Sequence, residues 1–114
     1  MTDLLPTPDT ANASAKLQGE VIAALRTVFD PEIPVNIYDL GLVYELDVAV
    51  DGKVHLRMTL TAPGCPVAQT FPATVAEAVR QVEGIQDVDV ELVWDPPWTQ
   101  DLMTEAARLQ LGML

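Results

Sequence analysis

Apolar residues recur at Leu17, Val21, Ala24 or Leu25, and Val28, the spacing of a helix that buries one face. Ser14 stands where a cap would stand, Glu20 and Arg26 fall on the opposite side, and Pro31 closes the pattern. A helix is therefore expected from Ala13 or Ser14 to Phe29 or Asp30. From Leu42 the period shortens to two. Leu42, Tyr44, Leu46, Val48 and Val50 alternate with Glu45, Asp47 and Ala49. Val54, Leu56, Met58 and Leu60 alternate in the same way with His55, Arg57 and Thr59. This pattern predicts two half-buried strands joined at Asp51 and Gly52. A two-residue turn would set Val48 opposite His55, on the wrong face. A three-residue loop or a bulge keeps the faces aligned, pairing Val48 with Leu56, Asp47 with Arg57 and Leu42 with Ala62. Phe71, Val75, Ala78 or Val79, and Val82 predict a second helix ending at Gly84. Val88, Val90, Leu92 and Trp94 then form a third strand, parallel to the second through a right-handed crossover. Thr99 is the expected cap of a last helix through Leu102, Ala106 and Leu109, stopped near Gly112.

The order α-β-β-α-β-α describes an α/β (α+β) domain, a three-stranded mixed sheet covered by helices. It is expected to span residues 13–114. Residues 1–12 hold two prolines among small polar residues and no period, so they read as a disordered N-terminal tail. A chain of 114 residues makes one domain, large enough to bury roughly 60 to 70% of its unfolded surface without covalent staples.

Charge and cysteine usage narrow the function. With 6 basic and 17 acidic residues the net charge is -11, which repels a phosphate backbone or an anionic bilayer, so neither nucleic acid nor membrane is an expected partner. No stretch is long and apolar enough to span a bilayer, and the amino terminus lacks the basic and apolar regions of a secretory signal. The single cysteine rules out a disulfide within the chain and fits a reducing, cytoplasmic setting.

That cysteine, Cys65, lies where the second strand hands over to the second helix, in TAPGCPVAQTFP (Thr61–Pro72). Gly64 permits close backbone approach, Pro66 removes a donor, and the following helix directs its positive end back at the thiol, which favours the thiolate. Nearby carboxylates act in the opposite direction. The hairpin and the parallel crossover bring three segments to one end of the sheet: Asp30–Gly41, Thr61–Pro72 and Trp94–Thr99. Together they carry one thiol, the carboxylates of Asp30, Glu32, Asp39 and Asp95, and the indoles of Trp94 and Trp98. His55 belongs to the far end of its strand, five residues from Leu60 at about 3.3 Å each, so a cysteine-histidine enzyme is set aside.

Each candidate also has a purely structural reading. A small buried hydrophobe is the usual fate of a free cysteine, but the place of Cys65 before a helix, between Gly64 and Pro66 and off any apolar stripe, favours function. Asp30 would serve to end a helix, Glu32 and Asp39 to satisfy turn backbone, Trp94 to fill the core, and Trp98 to act as a lid or a packing anchor. One thiolate does not hold zinc or an iron-sulfur cluster alone, since either usually takes four ligands. A symmetric dimer supplies two thiolates, with Asp39 and Glu32 as further candidate ligands. A site of that kind is labile, which suits a carrier better than an enzyme.

Three segments in this order, DPEIPVNIYDLGLVYELDV, MTLTAPGCPVA and VWDPPWTQDLMTEAARLQLGML, resemble the SufT-like family of iron-sulfur assembly factors. Its relatives include the MIP-type cytosolic assembly subunit and the amino-terminal domain of some cluster-carrier ATPases. The resemblance implies a small α/β domain, commonly a homodimer, that helps mature iron-sulfur proteins and has no established turnover reaction. On this resemblance the functional cysteine falls on Cys65, the acidic loop on Asp30, Glu32 and Asp39, and the aromatic-proline turn on Trp94 to Trp98, with Thr61 and Gly64 framing the cysteine. Without the ATPase P-loop, or the cysteine-rich tail of a relative that serves phenylacetate-ring oxygenase, the chain resembles the stand-alone form. The resulting expectation is an accessory factor, not an enzyme, in which Cys65 of a dimer ligates a transient iron-sulfur cluster or iron. Its partners are assembly or client proteins. Two rivals stay open: a docking adaptor whose cysteine is incidental, and a thiol or persulfide relay, which lacks a resolving cysteine in the chain.

Overall fold

The computed structural model of the chain describes residues 8–61 and 70–113, with side chains from residue 14 onward. Residues 1–7 of the expected tail, Gly64 and Cys65 lie outside the described residues. The elements follow in the expected order: α1 (Pro8–Leu25), β1 (Val43–Val48), β2 (Lys53–Met58), α2 (Phe71–Arg80), β3 (Asp87–Leu92), a 3₁₀ turn (Gln100–Leu102) and α3 (Glu105–Gln110). The sheet order is β1-β2-β3. β1 and β2 are antiparallel, whereas β2 and β3 are parallel.

Both ends of α1 differ from expectation. It begins at Pro8, so residues 8–12, read from the sequence as tail, are helical. Proline suits a first helical turn because its missing N–H would have no intrahelical acceptor there. Ser14, the expected cap, therefore sits inside the helix, and its hydroxyl donates to the Val48 carbonyl at 3.2 Å. The helix stops at Leu25, short of Phe29, because Phe29 is drawn into an antiparallel bridge with Asn36, and a bridge requires extended backbone.

The hairpin has its three-residue loop, and Ala49 N–H donating to the Lys53 carbonyl at 2.9 Å brackets it as Val50, Asp51 and Gly52. The register differs from the expected one. Val48 pairs with Val54, Asp47 with His55 and Glu45 with Arg57, and a bulge lies between Val43 and Glu45. Leu42 meets Thr59, whose N–H reaches its carbonyl at 2.9 Å, instead of Ala62. Gly52 accounts for the shift. Its φ of +93° belongs to the last loop position of such a hairpin, and a Cβ there would strike the Gly84 carbonyl. The loop consequently starts at Val50, which is 53% exposed instead of extending the buried stripe. From Glu45 to Val48 the slip is two residues, so those side chains keep their faces. Past the bulge it is three, and Thr59, expected on the polar face, is fully buried.

Val21 and Leu25 of α1, Val75 and Val79 of α2, and Leu56 and Met58 of β2 are fully buried in one core. Both long helices thus cover a single face of the sheet. The other face presents Glu45, Asp47, His55, Arg57, Asp89 and Glu91, all partly or fully exposed. There Arg57 lies 3.5 Å from Glu45 and 3.7 Å from Glu91, and His55 Nδ1 lies 3.0 Å from Asp89. No described helix is long and apolar enough to cross a membrane.

The end of the chain departs furthest from the pattern. Thr99 precedes only a 3₁₀ turn, and Thr104 is the true cap of α3, its hydroxyl accepting from Ala107 N–H at 3.1 Å. Gly112, with φ +73°, closes the helix: its N–H reaches the Leu109 carbonyl at 3.1 Å, and the Met113 N–H reaches the Arg108 carbonyl at 2.8 Å. That paired geometry satisfies the last carbonyls. The break at Thr104 rotates the apolar stripe. Met103 and Ala107 are buried, while Leu102 and Leu109, expected to pack, are 42% and 65% exposed.

Candidate functional site

Asp30 is the best-held carboxylate of the acidic loop. Only 6% exposed, it accepts from the backbone N–H of Glu32 at 2.8 Å and of Ile33 at 2.7 Å through Oδ2. Its Oδ1 lies 3.5 Å from the Thr61 hydroxyl. A buried carboxylate takes such donors because an unpaired one would be expensive to keep there. Asp30 therefore shapes the turn after α1 and brings it to Thr61. It does not end the helix, because α1 stops five positions earlier, at Leu25.

Asp39 is engaged differently. Its Oδ2 accepts from Asn36 Nδ2 at 2.9 Å, and its own N–H donates to Asn36 Oδ1 at 2.9 Å. This reciprocal pair holds the single helical turn from Asn36 to Leu40. Arg26 Nε stands 3.7 Å from Asp39 Oδ1, and the guanidinium carbon lies 4.9 Å over the Tyr38 ring, so the residue that follows α1 supplies a countercharge and a stacking contact together. The carboxylate of Glu32, which is exposed, makes no hydrogen bond or ion pair with the described residues. Among the described residues, no three His, Cys, Asp or Glu side chains gather to hold a metal ion.

The Trp94 to Trp98 turn joins the same end of the sheet. Trp98 Nε1 donates to the Leu40 carbonyl at 2.7 Å and packs against the core, which makes it an anchor for the acidic loop. Trp94, expected in the core, is 42% exposed, because the strand ends at Leu92 and its alternation no longer holds there. The Tyr44 hydroxyl donates to the Pro96 carbonyl at 2.8 Å. Since Tyr44 belongs to β1 and Pro96 follows β3, this bond crosses the end of β2. Thr59, just beyond β2, is fully buried, and its hydroxyl has no hydrogen-bond partner among the described residues. Desolvation by burial, and secondarily the charge of Asp95, raises the Tyr44 phenol above its ordinary value of 10.0.

Two of the three expected segments are thus in contact with Thr61 or with each other: Asp30–Gly41 reaches Thr61 through Asp30 and the aromatic turn through Trp98. Cys65 and Gly64, the centre of the third, fall outside the described residues. Sequence reasoning missed Arg26, Asn36 and Tyr44. Asn36 had a readable cue, an Asn with Asp three residues on, whereas the contacts of Arg26 and Tyr44 depend on tertiary placement. His55 is on the open sheet face between Asp89 and Glu91.

Residues 18–92 match a family described as iron-sulfur cluster assembly protein. A Porphyromonas gingivalis protein named Fe-S protein maturation auxiliary factor is 47% identical over 103 residues, covering 90% of this chain and 98% of that one. The Bacillus subtilis Fe-S protein maturation auxiliary factor YitW is 42% identical over 97 residues, covering 85% and 95%. Among solved structures, the domain of unknown function DUF59 from Bacillus anthracis superposes with a TM-score of 0.80 at 31% identity, over 91% of this chain and 99% of that one.

Proposed function

The chain belongs to the iron-sulfur cluster assembly protein family, and from that premise we propose that it is a non-enzymatic accessory factor in the maturation of iron-sulfur proteins. In this reading Cys65 ligates a transient cluster, or iron, shared between two copies of the chain in the cytoplasm. The acidic loop and the aromatic turn meet the donor or client protein. One observation carries the reading: the mouth of the cysteine-bearing segment, Thr61, lies against buried Asp30 at 3.5 Å, four residues from the only thiol in the chain. Because Asp30 and Asp39 are engaged within their own loop, Glu32 is the carboxylate of that loop left to assist the thiolate or to contact a partner. A donor set of one thiolate and a carboxylate per chain suits a cargo that is passed on.

Anaerobic reconstitution with iron and sulfide, followed by absorption and Mössbauer spectra, tests the ligand role. The parent should take up a cluster and shift to a dimer by light scattering, and Cys65→Ser should do neither. A Cys65→Ser variant that holds as much cluster as the parent refutes it. The internal use of Asp30 and Asp39 favours a second reading, a docking adaptor in which the thiol is incidental. Unchanged complementation in cells by Cys65→Ala would select that reading.

A further inference from the structure

The segment after the aromatic turn has apolar residues on two sides. One side, Met103 and Ala107, is buried against the fold, and the break at Thr104 leaves Leu102, Ala106, Leu109 and Met113 on the surface. Leu102, Leu109 and Met113 are 42%, 65% and 43% exposed. This surface is held in place, not loose. Thr104 caps the first turn of α3, Gly112 closes the last, and Thr104 N–H is fixed to the Asp39 carbonyl at 2.9 Å. Gln110 Nε2 reaches the Pro34 carbonyl at 3.4 Å. α3 itself spans only Glu105–Gln110, with Leu102 in the 3₁₀ turn before it and Met113 after Gly112. The exposed apolar residues thus come from three adjoining pieces of chain, and an apolar surface fastened in this way marks a place for a partner.

Charge decides what covers it. Asp101, with a side chain 97% exposed, and exposed Glu105 border the apolar stripe. Arg108 is the single basic residue after Arg80, and it is already committed, 3.9 Å from Asp101 and 3.3 Å from the Gln100 carbonyl. A second copy would bring Asp101 and Glu105 against their own counterparts here, so like charges disfavour self-pairing at this surface. We infer that Leu102, Ala106, Leu109 and Met113 form a docking surface for a basic amphipathic helix of a partner protein, with leucine-like anchors on the stripe and lysine or arginine beside Asp101 and Glu105. The segment that carries this surface is fixed to the acidic loop through Thr104 and Gln110. Only the identification of that partner as an assembly or client protein rests on the accessory role proposed above.

The probe is a synthetic amphipathic helix with a leucine face and a lysine face, with a glutamate version of the same peptide as control. Binding is measured by fluorescence anisotropy to the full chain without metal, so the result is independent of cluster chemistry. The lysine peptide should bind the parent, bind Leu109→Ser at least about ten-fold more weakly, and lose affinity as salt shortens the reach of charges. The Asp101→Asn/Glu105→Gln double variant should weaken binding and remove most of the salt dependence. Circular dichroism confirms that each variant is folded. Equal binding of the lysine peptide by parent and Leu109→Ser, or equal binding of the glutamate peptide, overturns the proposal. So does sedimentation showing a parent dimer that Leu109→Ser dissociates, since the occupant would then be a second copy.

Discussion

Replacing Gly41 by alanine tests how the end of the chain is fastened to the acidic loop. Gly41 has φ +80°, and a Cβ there would run into the Leu102 carbonyl oxygen and crowd its carbonyl carbon at 2.8 Å. The backbone conformation alone disfavours alanine by about 1–2 kcal/mol. The clash is with backbone, so relief requires the 3₁₀ turn to move away. That movement strains the Trp98 bond to Leu40 and the Thr104 bond to Asp39, each worth about 1 kcal/mol net. A total loss of roughly 3–4 kcal/mol follows, a large share of the stability of a small domain. Urea unfolding followed by tryptophan fluorescence reads it directly, because Trp98 reports on the strained bond. Gly19→Ala is the matched control: a Cβ at that α1 position meets nothing within 4 Å, and the helix should gain about 0.5–1 kcal/mol. If Gly41→Ala unfolds within about 0.5 kcal/mol of the parent, the loop is not clamped in the way described.

Two further outcomes follow from the site. Asp30→Ala removes the acceptor of two backbone donors in a buried turn and should cost about 2–3 kcal/mol in urea unfolding, with Asp30→Asn recovering part of the loss. Tyr44 sets an alkaline limit. Its phenol is raised above 10.0 in the fold, so its contribution to stability is complete below that ordinary value and is lost as pH climbs through the raised one. Tyr44→Phe should therefore flatten the decline of melting temperature at high pH, and an unchanged decline would count against a raised phenol in the fold.

Much of the fold was legible because its periods were clean. The alternation in both hairpin strands, and Val75 with Val79 in the second helix, left little choice of face. The register was less legible, since it turned on which residue of the loop takes the left-handed conformation, and Gly52 does so through its approach to Gly84. The last helix misled for a related reason. Thr99 and Thr104 are both good caps by composition, and only the anchoring of Thr104 to Asp39 decides between them. At the site, the convergence of Asp30, Thr61 and Trp98 could be reasoned out from strand direction. The separate uses of Asp30, Asp39 and Glu32 could not, because they depend on hydrogen-bond partners that no spacing rule specifies.

The open face of the sheet has a consequence for the molecule in company. Its two outer strands, β1 and β3, carry Glu45 and Asp47 on one and Asp87, Asp89 and Glu91 on the other, beside strand edges that have no partner strand among the described residues and invite a neighbouring chain. Mutual repulsion keeps two such faces from stacking while the carboxylates are ionised. Acidification removes that guard before it touches the core, so precipitation at low pH should set in with the secondary structure still intact.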